Sequence, residues 1–180
     1  ELLDLSSGAA RIFRAARFRQ WSLASAVAEE MEEEWEDFQA LGFVPPMLEA
    51  EMEAALEDLL DAIEARDIAE TRQASIDVAR ASLDLQLRHL PRDEIDLAQI
   101  DLWSRQLQVD AAARDRGAVR GDLETIRIIR DRFAHPDGEI DAHIMALQSA
   151  ALGSNVSGAE EVAGRLQNAL ARSSRGVPGL

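Results

Sequence analysis

The densest cluster of metal-type ligands in the chain is the run His135-Pro136-Asp137-Gly138-Glu139-Ile140-Asp141-Ala142-His143. Glu139 and His143 are four residues apart, so a helix puts them on one face. His135 ends the preceding apolar segment, and a tight turn over Pro136 and Gly138 would carry it toward the other two. Imidazole with carboxylate suits a divalent transition metal such as Zn²⁺ or Cu²⁺. The spacing is not a known zinc signature, and it lacks the Glu-x-x-His pairs of di-iron bundles. His135 and His89 each stand where a helix should end, where imidazole also interacts well with the last carbonyls. Helix-end residues and metal ligands are therefore both open readings.

The second group of chemistry-bearing residues is a set of narrow polar strips inside apolar helices. Over 68–88, Ile76, Ala79, Leu83 and Leu87 make one apolar face, and Ala74, Val78, Ala81 and Leu85 another. Asp77, Asp84 and Arg88 run between them. Over 94–113 the theme recurs, with Asp101, Arg105 and Gln108 between two apolar faces. Asp84/Arg88 and Asp101/Arg105 are i,i+4 pairs in the favoured acid-then-base order. Asp122 sits on the same face as Val119, Ile126 and Ile129. Two readings apply: partly buried ion pairs that set helix register, or the lining of a polar cavity that holds a small ligand or cation. Other site types are missing. There is no Cys, which excludes disulfides, thiolate catalysis and Cys-bound metals, and no Gly-rich phosphate loop or nucleophile elbow appears.

These residues must be positioned by helices. Two apolar faces on one helix mean neighbours on two sides, so 68–88 and 94–113 are interior helices. Prolines 46, 91 and 136 are spaced by 45 residues, and each is followed by acidic residues opening an apolar-periodic segment. Pro and first-turn acids mark helix starts, and spacing this regular is the mark of a repeat. The fold class is therefore all-α, in antiparallel helical hairpins repeating about every 45 residues, packed as a bundle or a short superhelical array. Helices are expected at 47–65, 68–88, 94–113, 118–134, 139–152 and 158–172, making hairpin units 46–90, 91–135 and 136–172. Asp67–Glu70 and Ser157–Glu160 read as capping boxes. Residues 8–41 show no turn and read as one long helix, with Arg11, Arg14, Arg17 and Arg19 early and seven carboxylates late. That order opposes the helix dipole, so tertiary partners must decide it. Together these make a single helical domain over 1–172, followed by a flexible tail over 173–180.

Composition sets the limits. Of 180 residues 47% are hydrophobic, enough for a core, but only 4% are aromatic, so Leu, Ile, Val and Ala must fill it. The 19 basic residues are all Arg, against 34 acidic ones, for a net charge of −15. Such a surface repels nucleic acid and anionic lipid, and no apolar run is long enough to insert in a membrane. Absence of Cys fits export and cytosol equally, so the location is open; the start at Glu1 rather than Met, which fits removal of a signal peptide or lipid anchor, slightly favours export to the cell envelope over the cytoplasm. The expected function is a non-enzymatic helical interaction or structural module that binds a protein partner. The alternative is a small-ligand or metal-binding bundle of the cell envelope. If His135, Glu139 and His143 do hold a metal, added Zn²⁺ raises the melting temperature by mass action, and His143→Ala abolishes the shift. No shift at saturating Zn²⁺ leaves them as helix-end residues.

Overall fold

A computed structural model describes residues 2–42, 44–133, 137–153 and 156–173. Among these the chain is all-helical, in two compact units, Glu1–His89 and Leu90–Leu180. Unit 1 holds α1 (Leu2–Arg17), α2 (Trp21–Leu41), α3 (Pro46–Ala65) and α4 (Ile68–Gln86). Unit 2 holds α5 (Arg92–Ala112), α6 (Arg116–Arg130), α7 (Gly138–Leu152) and α8 (Val156–Ser173). The undivided domain expected over 1–172 is thus two four-helix units, each with its own core. The tail expected over 173–180 lies, beyond Ser173, outside the described residues.

The helix starts follow from local chemistry. Pro45 and Pro46 open α3, where a missing N–H costs nothing, and Pro91 sits just before α5. Three aspartates cap the helices they precede. Asp67 accepts from the N–H groups of Ala69 and Glu70 at 2.8 and 3.0 Å, Asp115 from Gly117 and Ala118, and Asp137 from Glu139 and Ile140. α8 begins at Val156, ahead of the Ser157 expected to cap it.

The long helix expected over 8–41 is broken at 18–20. Arg19 is left-handed (φ 56°), and the N–H groups of Arg19 and Gln20 bond back to Ala16 and Ala15. Arg66 (φ 55°) and Arg114 (φ 61°) turn the next two hairpins in the same way, each followed by its capping Asp. A left-handed non-Gly residue costs about 1–2 kcal/mol, offset here by the backbone bonds that close the helix end. The break also resolves the reversed charge order of residues 8–41. It folds the acidic half back beside the basic half, and Arg11 meets Glu30 at 2.9 Å. Both side chains are largely exposed, so the pair adds little stability of its own.

Hairpins α3–α4, α5–α6 and α7–α8 correspond to the expected units, and α1–α2 is a fourth. Within unit 1, α1 packs on both α2 and α4, α4 packs on α3, and α2 meets α3 least. Unit 2 repeats the order: α5 packs on α6 and α8, α8 on α7, and α6 meets α7 least. The two helices with double apolar faces, α4 and α5, each have two neighbours. Leu5, Ile12, Met31, Leu59 and Ile76 are buried in unit 1, and Ile100, Leu107, Ile126, Leu147 and Leu166 in unit 2. α1 and α2 approach so closely at Gly8 that a Cβ there would stand 2.6 Å from the Met31 side chain. No helix among the described residues is long and apolar enough to cross a membrane.

Leu83 of unit 1 and Leu107 of unit 2 are core residues at 6% and 0% exposure. Truncation to Ala at either site is expected to cost roughly 2–5 kcal/mol in denaturant unfolding. A loss under about 0.5 kcal/mol would place the side chain outside the core.

Candidate binding cleft and the buried polar groups

The polar strips do not converge on one cavity. Asp77 is half-buried, receives the Arg80 guanidinium at 2.9 Å and faces the Gln73 amide at 3.4 Å. The expected Asp84/Arg88 pair is not formed. α4 stops at Gln86, so Arg88 lies exposed in the turn beyond it and off the helix face that would have aligned the two. Asp84 stays half-buried, and burial, then Glu51, pushes its carboxyl up.

The Asp101/Arg105 pair does form, on α5, with Arg105 nearly buried. Gln167 of α8 donates to Asp101 at 3.3 Å, and Gln108 of α5 donates to Gln167 at 2.7 Å. This network joins α5 to α8 and closes the strip with amides. Its geometry is that of a register device, since slippage of either helix would strand buried polar atoms.

Asp122 of α6 is buried at 5% exposure, and its Oδ2 has no hydrogen-bond partner. Desolvation, then a hydrogen bond and repulsion from Asp110 of α5, with Asp115 adding repulsion, push it up to about 8. Two carboxyls facing each other in a buried setting share a proton rather than both ionise.

Of the expected metal ligands, His135 lies outside the described residues. Glu139 is exposed and takes the Arg172 guanidinium from α8, and His143 is half-buried on α7. No group of three His, Asp and Glu side chains among the described residues could hold a metal ion.

Several notable residues carry no pattern in the sequence that marks them. Asp96 is buried at the start of α5, with Arg132 at 3.4 Å and Arg92 at 3.9 Å. Arg72 of α4 is buried with its guanidinium 4.4 Å from the centre of the Phe13 ring, a cation–π contact in a desolvated place.

A cleft of about 420 Å³ runs along the α2–α3 seam of unit 1. Trp35, Leu56 and Leu60 give it an apolar lining, Gln39 stands among them, and Glu32, Glu36, Glu53, Glu57 and Asp61 supply carboxylates. The Gln39 amide reaches Glu49 at 2.8 Å and Glu53 at 3.3 Å. Trp35 is 4% exposed, stacks on Phe38 at 5.7 Å, and has no acceptor for its buried indole Nε1–H.

The charge around the cleft is one-signed. Unit 1 holds 20 of the 34 acidic residues but only 8 of the 19 Arg, for −12, while unit 2 stands at −3. α2 and α3 together carry 14 carboxylates and no basic residue, and 12 of the 14 are exposed. The corresponding α6–α7 seam of unit 2 is bridged instead: Arg130 holds Asp141 through two hydrogen bonds, the Nη2–Oδ2 one at 2.8 Å. The signal for the cleft was in the sequence as a run of acids without Arg, but only the packing of α2 on α1, α1 on α4 and α4 on α3 sets the two acidic helices side by side.

Comparison with family models, with curated proteins and with solved structures finds no match for this chain.

The Asp110/Asp122 pair makes stability depend on pH in a defined sense. The folded state keeps a proton on Asp122 up to about pH 8, whereas an unfolded Asp loses it near 3.8. The stabilisation is complete below the unfolded value and is lost as pH rises toward 8. Asp122→Asn, which mimics the protonated side chain, is expected to raise the melting temperature at pH 8 and to flatten its decline between pH 4 and pH 8. A variant with the same pH slope as the parent would show that Asp122 is not the group responsible.

Proposed function

We propose that this chain is a non-enzymatic helical interaction module that binds a protein partner, and that the α2–α3 cleft of unit 1 is the binding surface. The observation that carries this reading is the cleft itself: an apolar lining flanked by carboxylates from both helices, at the least packed seam of the unit. A groove with an apolar floor and charged rims can seat a segment of a partner, with Trp35 and Leu56 nearly buried beneath it and Leu60 half-buried. The long, single-signed field over α2 and α3 would speed encounter with a partner of opposite charge. It equally disfavours nucleic acid, whose phosphates it repels.

A photo-cross-linking amino acid at Glu36, in the cleft, is compared with one at Glu161, an exposed position of unit 2, in cells that make the chain. Discrete protein adducts from position 36 and not from position 161 are the expected result. Equal labelling from both positions, or none from position 36, overturns the assignment of the cleft.

A further inference from the structure

Resting on that reading, we infer that the α2–α3 cleft takes a basic amphipathic helix of its protein partner, whose apolar stripe lies on Trp35, Leu56 and Leu60 and whose Arg or Lys side chains lie between the two carboxylate walls. Charge complementarity is the first argument. Across the cleft Glu32 and Glu36 of α2 stand opposite Glu53, Glu57 and Asp61 of α3, and neither helix has a cation to place between them. Like charges on facing helices destabilise the contact, and the corresponding seam of unit 2 is closed by an Arg130–Asp141 pair. A bound segment bearing cations supplies to α2–α3 what unit 2 has built in.

The apolar lining is the second argument. Trp35 and Leu56 are nearly buried and Leu60 half-buried, so they make an apolar floor between the charged walls, on which one face of a short helix can rest with its charges on the flanks. The residues of the cleft span Glu32 to Gln39 on α2 and Glu53 to Asp61 on α3, which is roughly 10–12 Å or two helical turns. That length fits a short helical segment. The carboxylates continue past the cleft, from Glu29 to Asp37 on α2 and from Glu49 to Glu64 on α3, about 12 Å and about 22 Å of helix, farther than a small cation can reach. Trp35 adds an independent mark. Its indole N–H is buried, without an acceptor among the described residues, on a residue of the cleft lining, and this unmet donor is a standing cost that an acceptor on a bound segment relieves where binding opens the side chains over it.

The probe is a fluorophore-labelled peptide of about 14 residues, long enough to be helix-competent, with Leu on one face and Arg on its flanks. It is titrated into the full chain, beside a scrambled peptide of equal composition. Saturable binding of the patterned peptide is expected, at least about tenfold tighter than the scrambled one and weakening steeply with salt. The triple variant Glu36→Gln, Glu57→Gln, Asp61→Asn should lose about tenfold or more in affinity, while Glu161→Gln leaves it unchanged. All three variant positions are exposed, and relief of repulsion should leave the helical circular dichroism intact and the melting temperature no lower. Glu36→Gln alone, with a smaller loss in the same direction, serves if the triple variant misfolds. Equal affinity for the scrambled peptide would show a diffuse acidic surface and overturn the proposal. Stoichiometric binding of spermine or Ca²⁺ with no binding of the peptide would assign a small-cation site and overturn it too. Adducts from position 36 without peptide binding would leave the cleft a protein-binding surface and reject only the basic helix.

Discussion

Each four-helix unit is closed by contact between its first and last helices, and most other features of the structure follow from that closure. No hairpin in this chain can bury its own apolar stripe. In unit 1, α1 and α4 meet along the fullest interface, although some 70 residues separate them in the chain. The end of the seam is tied by polar groups as well as by packing. Ser82 of α4 donates to the Leu2 carbonyl at 2.7 Å, Ser6 donates to Ser82 at 3.0 Å, and the Gln86 amide bonds to Ser82 and Leu2. Buried hydroxyls and an amide satisfied in this way hold one register, since a slip of one turn would leave several of them without partners. In unit 2 the α5–α8 seam is held by the Asp101, Arg105, Gln108 and Gln167 network, in which the buried Arg105 Nη1 is left without an acceptor among the described residues.

Closure through the first and last helices leaves the second and third as the loosest pair of each unit. The two units use that freedom differently. Unit 2 bridges the gap with Arg130 and Asp141. Unit 1 faces carboxylate toward carboxylate and leaves a cleft. Because 12 of these 14 acids are exposed, water and salt screen them, and the repulsion stays affordable for a helix pair that has little packing to lose. The same residues inside the α1–α4 seam would be prohibitive. Packing density and charge are thus distributed together in unit 1: the tight α1–α4 seam buries apolar side chains, neutral hydrogen bonds and the Arg72 guanidinium on Phe13, and the acidic surface lies over the slack seam.

Two buried acids show how the same physics acts inside unit 2. Asp96 is neutralised by arginines from the first turn of α5 and from the turn beyond α6. Asp122 has only another carboxyl before it, and so holds a proton instead. A buried carboxylate must find a cation or become neutral, and the two residues take the two routes within one core.

The sequence by itself determined the helical class, the approximate span of six of the eight helices and the 45-residue hairpin spacing. It could do so because Pro, capping Asp and the 3.6-residue apolar period act within a few residues of where they stand. It also determined the Asp101/Arg105 pair, which needs only one helix. The break at Arg19 was hidden, since a left-handed Arg closed by backbone bonds carries no Gly or Asn to announce it. The failure of Asp84 to meet Arg88 was equally hidden, because it depends on α4 ending two residues early. Tertiary structure alone decided which helices close each unit, and hence that Asp110 would face Asp122, that Arg132 would cover Asp96, and that two acidic helices would stand across a cleft around Trp35. Each of these is a meeting of residues far apart in the chain, and periodicity records which face of a helix is apolar without saying which other face it will meet.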